Sequence, residues 1–216
     1  MPSPRSAATP TKPRKGGTAA APTSLRSVVE LAVRAPSAWN SQPWKFKIGE
    51  DLIEVHADRS RSLGAADPQD RELTISCGAA IMNLRVGLGR AGYAWLLDTV
   101  PVPTAPTVLG RLSVQRQDNT TRENDLLYEA IPKRYTVTGR FKNKPVPAVL
   151  LNTLATLAAE EHAWLEFITE DRERAEASAI LETGERAFWR EPDVRRDDGA
   201  VVEVERLDVH AGLVHG

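Results

Sequence analysis

Residues 35–46 read Ala35-Pro36-Ser37-Ala38-Trp39-Asn40-Ser41-Gln42-Pro43-Trp44-Lys45-Phe46, between a helical pattern and a strand pattern. Pro36 and Pro43 stiffen the stretch and remove two backbone donors. Ser37, Asn40, Ser41 and Gln42 offer side-chain donors and acceptors at its centre. Trp44 and Phe46 open a strand and can anchor the loop on a core. A stiff loop that presents fixed amides and hydroxyls suits a flat heterocycle with polar edges. The same composition also suits a plain helix-to-strand connection with a polar tip.

Upstream, Ser24 is a candidate N-cap, and Leu25, Val28, Val29, Ala32 and Val33 repeat at helical spacing until Pro36 stops them. Downstream, Trp44–Ile48 and Leu52–Ala57 flank Gly49-Glu50-Asp51, which predicts a β-hairpin. A loop follows over Arg59–Asp70. Leu73, Cys77, Ala80, Ile81, Leu84, Leu88 and Ala91 then recur at spacings of 4, 3, 1, 3, 4 and 3, and Gly92 closes the helix they predict. Gly78, Ala79 and Ala80 would let a second backbone or a ligand approach closely.

Tyr93–Val100 and Val108–Gln115 read as strands, Asn124–Ile131 as a helix and Lys133–Pro145 as an irregular basic segment. Pro147 at N1 would start another amphipathic helix, marked by Leu150, Leu154, Leu157 and Ala158. Ala163–Ile168 reads as a strand, and Asp171–Trp189 as a charged helix ending near Pro192. Helices alternate with hairpins, which predicts an α+β layered sheet with flanking helices rather than a doubly wound one. Gly87-Leu88-Gly89 lies inside a helix and cannot serve as a dinucleotide fingerprint.

The 216 residues are 41% hydrophobic and 26% charged, enough for one substantial core. Twenty-eight basic against 29 acidic residues leave a net charge of −1, so no overall field recruits nucleic acid or an anionic membrane. The apolar runs are too short to span a bilayer. Cys77 is the single cysteine, which excludes an intrachain disulfide and a cysteine-cluster metal site; its helical apolar setting predicts a buried, inert thiol. His56, His162, His210 and His215 lack metal-ligand spacing. Trp164 and Trp189 read as core or interface aromatics. Residues 1–24 are rich in Pro, Ala, Ser and Thr, carry Arg5, Lys12, Arg14 and Lys15 and lack a secretory core, which predicts a disordered tail or a weak binding arm. A cytoplasmic location is the expectation.

Three ordered blocks carry a resemblance. Ala35-Pro36-Ser37 with Asn40-Ser41-Gln42-Pro43-Trp44 and Phe46 resembles the flavin-contacting segment of the nitroreductase family. The run Asp67–Ala80, leading into Asn83-Leu84-Arg85-Val86 and Gly92, is similar to the Acg-like branch of those flavoproteins. Arg134-Tyr135-Thr136 with Phe141 is similar to the family's phosphate motif. The resemblance covers roughly residues 25–190 and implies FMN as cofactor. It implies a first lobe over 25–144 and a partial second lobe over 145–198 of an internal pseudo-dimer, with 199–216 matching nothing in the family. That end reads as truncated or frameshifted, and an incomplete lobe would expose apolar surface and favour a partner or a homodimer.

Carried over residue by residue, Pro36, Ser37, Asn40, Ser41 and Gln42 would face the ring or ribityl chain. Lys133, Arg134 and Thr136 would hold the phosphate, Arg134 as a bidentate partner. Tyr135 and Thr138 stand where relatives carry arginine, Arg140 could compensate from a turn away, and Trp39 stands where Acg-like chains often carry histidine. The implied activity is electron transfer from NAD(P)H through FMN to a small nitroaromatic or quinone-like acceptor. The chemistry belongs to the flavin, so no protein group is assigned as catalytic. Flavin sequestration without turnover, and a truncated relative that binds no flavin, are the two alternatives.

Overall fold

Ser24 and Ser27 cap the first helix reciprocally. Ser27 N–H donates to Ser24 Oγ at 3.2 Å and Ser24 N–H donates to Ser27 Oγ at 3.1 Å. The computed structural model describes residues 22–99, 105–117, 122–137, 141–142 and 144–197. The expected tail, up to residue 21, and the unassigned end over 199–216 lie outside the described residues, as do Thr138 and Arg140. The chain divides into two units, one running to Thr136 and the other spanning Val137–Ala200.

In the first unit, α1 (Leu25–Ala32) leads to the hairpin β1 (Trp44–Ile48) and β2 (Leu52–Ala57). The long α2 (Arg71–Arg90) follows, then β3 (Tyr93–Thr99), β4 (Val108–Arg116) and α3 (Arg122–Ala130). The four strands form one antiparallel sheet in the order β1-β2-β4-β3. Alternation sends Ile53, Val55, Leu112 and Val114 to one face, where they join Leu25, Val28, Val29, Leu73, Cys77, Ala80, Leu84 and Leu88 from α1 and α2 in a single core. Each large aliphatic chain buried there contributes about 1.5–3 kcal/mol. A smaller cluster of Leu31, Val86, Tyr128 and Ile131 fastens α3 to the other side of the two helices.

Two glycines show how tightly this unit is drawn together. A Cβ on Gly87 of α2 would lie 3.0 Å from Val28 Cγ1 and 3.1 Å from Leu31 Cδ1, so the close helix–helix approach is made there. Gly78, expected to offer such an approach, faces open space on the exposed side of α2. A Cβ on Gly110 of β4 would come within 2.7 Å of Ile81 Cδ1, which lets α2 settle onto the sheet.

The other sheet face is charged. Register sets Lys47 opposite Glu54, Glu54 opposite Arg111 and Arg111 opposite Asp98, so signs alternate across all four strands. Glu54 is buried and accepts from Arg111 Nη2 at 2.8 Å and Nε at 3.1 Å, with His56 Nε2 at 3.2 Å from its other oxygen. Burial alone would raise the Glu54 carboxyl; the bonds from Arg111 and His56 and the charge of Lys47 outweigh it and hold the group below its usual range.

The second unit contains α4 (Ala148–Glu160), α5 (Asp171–Phe188) and the short α6 (Pro192–Asp197). Pro147 occupies the N-cap of α4 rather than N1. The strand expected over Ala163–Ile168 is absent, because those residues run without a paired neighbour strand among the described residues, and a short apolar run alone satisfies no backbone group. Trp164, expected as a core or interface aromatic, is 84% exposed and so lies outside any core of this chain. No residue of α4 or α5 is buried, and among the described residues of this unit only Val194 is.

Two predictions test the packing. Gly78→Ala should raise stability by about 0.5–1 kcal/mol, since the methyl meets nothing and the helix gains propensity, whereas Gly110→Ala should lower it; urea denaturation of both reads the opposite signs. Glu54→Gln should cost about 1–3 kcal/mol near neutral pH. Because the folded carboxyl titrates below its ordinary value, that difference should be full above the unfolded pKa and vanish as pH falls through the folded one, measurable as a converging pair of denaturation curves.

Candidate cofactor site

The loop over residues 36–43 leaves the C-terminal end of α1 and enters β1. It is a strained path. Trp39, Asn40 and Gln42 have φ of 53°, 57° and 50°, left-handed values that non-glycine residues seldom adopt. Ala38–Asn40 form one 3₁₀ turn within it. Asn and Gln chemistry then closes a small polar unit: Gln42 Nε2 donates to Asn40 Oδ1 at 3.3 Å, and Gln42 N–H donates to Ser37 Oγ at 3.0 Å. Asn40 is exposed, Ser37 and Gln42 are half-buried, and Pro36 lies on the surface beside them. Ser41 is buried, so its side chain lies under the loop rather than on it.

Neighbouring elements hold this path at several points. Ala38 N–H donates to Ser76 Oγ of α2 at 3.2 Å, and Cys77 Sγ donates to Pro43 O at 3.3 Å. Arg61 Nη1 donates to Ser41 O at 3.3 Å. Arg61 in turn lies 3.7 Å from Asp58, which also pairs with Lys45 at 2.9 Å and accepts from Ser60 Oγ at 2.6 Å. Burial alone would raise the Asp58 carboxyl, and the bonds from Ser60 and Lys45 hold it below its usual range instead. Asp67 is buried at the start of α2 and accepts from Arg71 N–H at 2.8 Å and Leu73 N–H at 2.9 Å, fixing where the helix begins.

The cationic segment approaches from α3. Ile131–Lys133 form a 3₁₀ turn, after which Arg134 extends. Arg134 Nη2 donates to Arg34 O at 3.2 Å, two residues before Pro36, and Nη1 reaches Thr136 Oγ1 at 3.4 Å. Lys133 pairs with Glu129 at 3.4 Å. Lys133, Arg134, Tyr135 and Thr136 are all exposed. The fold therefore brings Arg134, a hundred residues on in sequence, to the end of α1 from which the polar loop departs. That carbonyl is a favourable place for a cation, at the negative end of a helix. Asn83 of α2 makes a similar contact one turn earlier, donating to Leu31 O at 3.1 Å.

The sequence reading missed Ser76, Arg61 and Asp58. Ser76 carried a usable signal: a hydroxyl among Leu73, Cys77 and Ala80 is a polar group on an apolar face, and such a group needs a partner. Arg61 and Asp58 carried none, being ordinary charges in a loop. Among the described residues no group of His, Cys, Asp and Glu is arranged to hold a metal ion. No helix among the described residues is long and apolar enough to cross a membrane.

No protein-family model matches the chain. Two proteins of Mycobacterium tuberculosis strain H37Rv are similar to it. One, provisionally named NAD(P)H nitroreductase Acg, is 30% identical over 161 residues, 74% of this chain and 49% of that protein. The other, provisionally named NAD(P)H nitroreductase Rv3131, is 32% identical over 160 residues, 73% of this chain and 46% of that protein. The chain thus spans about half the length of the curated relatives it matches. A crystal structure of a nitroreductase family protein from Streptococcus pneumoniae TIGR4 aligns with 45% of this chain and 81% of its own, at 18% identity and a TM-score of 0.33.

Burial pushes the Cys77 thiol up to about 12, so it stays protonated at all ordinary pH values. It should therefore resist a thiol-specific disulfide reagent at pH 8 in the folded protein and react at once in denaturant; stoichiometric reaction in buffer would contradict the placement.

Proposed function

We propose that this chain, which is nitroreductase-like and related to the Acg branch of that family over 74% of its length, binds FMN and carries electrons from NAD(P)H to a nitroaromatic or quinone-like acceptor. The observation that carries the reading is the 3.2 Å contact from Arg134 to Arg34 O, which sets a guanidinium beside the start of the strained polar loop. The donor set suits a flavin mononucleotide. A phosphate asks for a cation and hydroxyl donors, and Arg134, Thr136 and Lys133 supply them on an exposed segment. The edge of a flavin ring asks for fixed amides, and Asn40 and Gln42 are locked to each other in a rigid loop with Ser37 and Pro36.

When bound, the flavin supplies hydride and electron transfer. The chain's own residues bind and orient. Arg134 and Thr136 would neutralise the phosphate. Asn40 and Gln42 would offer donors and acceptors in a geometry already paid for by folding. Ser41, being buried, would act through the loop backbone. NAD(P)H as electron donor and the nitroaromatic or quinone-like acceptor class belong to this proposal and rest on the relatives' names and on the family resemblance; a homodimeric state belongs to it as well, on the apolar surface that an incomplete second lobe would expose.

A second reading draws on the same contact: Arg134 serves only to cap α1. The two separate cleanly. Under the flavin reading, the full chain loaded with FMN and desalted retains the visible flavin bands, and Arg134→Ala weakens FMN binding about 10–100-fold, the worth of a charge-assisted phosphate bond. NADH or NADPH should then bleach the retained bands in the absence of oxygen. Under the capping reading, Arg134→Ala lowers the melting temperature and no folded sample retains flavin.

A further inference from the structure

Ser76 is a buried hydroxyl in the second turn of α2 whose two hydrogen-bonding roles are both committed. Its proton goes to Glu72 O, at 2.7 Å, inside its own helix. Its lone pairs face outward and accept Ala38 N–H at 3.2 Å, across 38 residues of sequence. Ala38 is the residue immediately before Trp39, and Trp39, Asn40 and Gln42 are the left-handed ones. The helix thus grips the loop at the residue that directly precedes its left-handed positions.

The strain makes this grip consequential. Left-handed backbone at a non-glycine residue relaxes unless its surroundings over-determine it. Asn40 and Gln42 hold each other, and Ser37 holds Gln42, but those bonds lie inside the loop and would travel with it. Ser76 belongs to the most deeply packed helix of the unit, with Cys77 beside it buried in the core. It fixes the loop to a helix held by core packing. Arg61 reaches Ser41 O from the far side, but through a long, half-exposed side chain.

We propose that Ser76 is a positioning residue: through its hydroxyl it holds Ala38 N–H and so keeps Asn40 and Gln42 in the left-handed presentation that a flavin ring would meet. The inference rests on the flavin reading only for what the loop serves; the grip itself stands on geometry. Ser76→Ala is a clean probe because alanine is the better helix former, so α2 does not weaken when the hydroxyl goes. Ser76→Thr keeps the hydroxyl.

The experiment is amide hydrogen exchange across residues 38–42 in the ligand-free full chain, with an FMN titration of the same samples. Ser76→Ala should exchange these amides about tenfold faster than the parent, with no fall in melting temperature, and should raise the FMN Kd by a similar factor. Ser76→Thr should restore both. Exchange at the parental rate in Ser76→Ala overturns the proposal, as does faster exchange that Ser76→Thr fails to restore. Faster exchange with an unchanged FMN Kd overturns it too, since the loop's presentation would then not matter to the ligand. A parent chain that binds no FMN, while Ser76→Ala still loosens the loop and Ser76→Thr tightens it, removes the flavin reading and leaves the grip of Ser76 on the loop supported.

Discussion

The first unit depends on one helix satisfying several neighbours at once. Over its twenty residues, about 30 Å, α2 packs Leu73, Cys77, Ala80, Ile81, Leu84 and Leu88 into the core shared with the sheet. Gly87 admits α1 on another side, and Val86 meets Tyr128 and Ile131 on a third. Burial on so many sides leaves the helix little freedom to shift. Everything attached to it inherits that rigidity: the start of the polar loop through Ser76, its end through Cys77, and the end of α1 through Asn83.

That rigidity is what makes a strained loop affordable. Three left-handed non-glycine residues within four positions each cost on the order of 1 kcal/mol. Anchors on a packed helix and on the Arg61–Asp58 pair offset this cost. Such strain seldom survives where nothing depends on the conformation, which is why the loop is a better candidate site than its composition alone would indicate. The charged face of the sheet is different. Its alternating row of Lys47, Glu54, Arg111 and Asp98 satisfies itself, so it needs no ligand to explain it.

Much of the first unit was legible because its local signals agree with its packing. Ser24, Pro36, the 49–51 turn and Gly92 punctuate the chain where the elements begin and end. The second unit shows the limit. Ala163–Ile168 is a short run rich in apolar and aromatic residues, as a strand would be, yet it pairs with no strand among the described residues, because composition favours an extended segment but a sheet must supply the partner. Gly78 and Gly87 make the same point inside one helix: the sequence points to Gly78 for a close approach, and the neighbouring helix uses Gly87 instead.

The amino-acid sequence by itself determined the order of the first unit's elements and their ends to within a few residues, the inertness of Cys77 and the residue types of the candidate site, because capping, turn chemistry and periodicity act locally. The tertiary structure alone decided that Arg134 meets the end of α1, that Ser41 lies beneath the loop and that Ser76 holds it. Those outcomes depend on contacts between residues 38 to 100 positions apart, and only the packing of α1, α3 and the loop around α2 brings such residues within hydrogen-bonding distance.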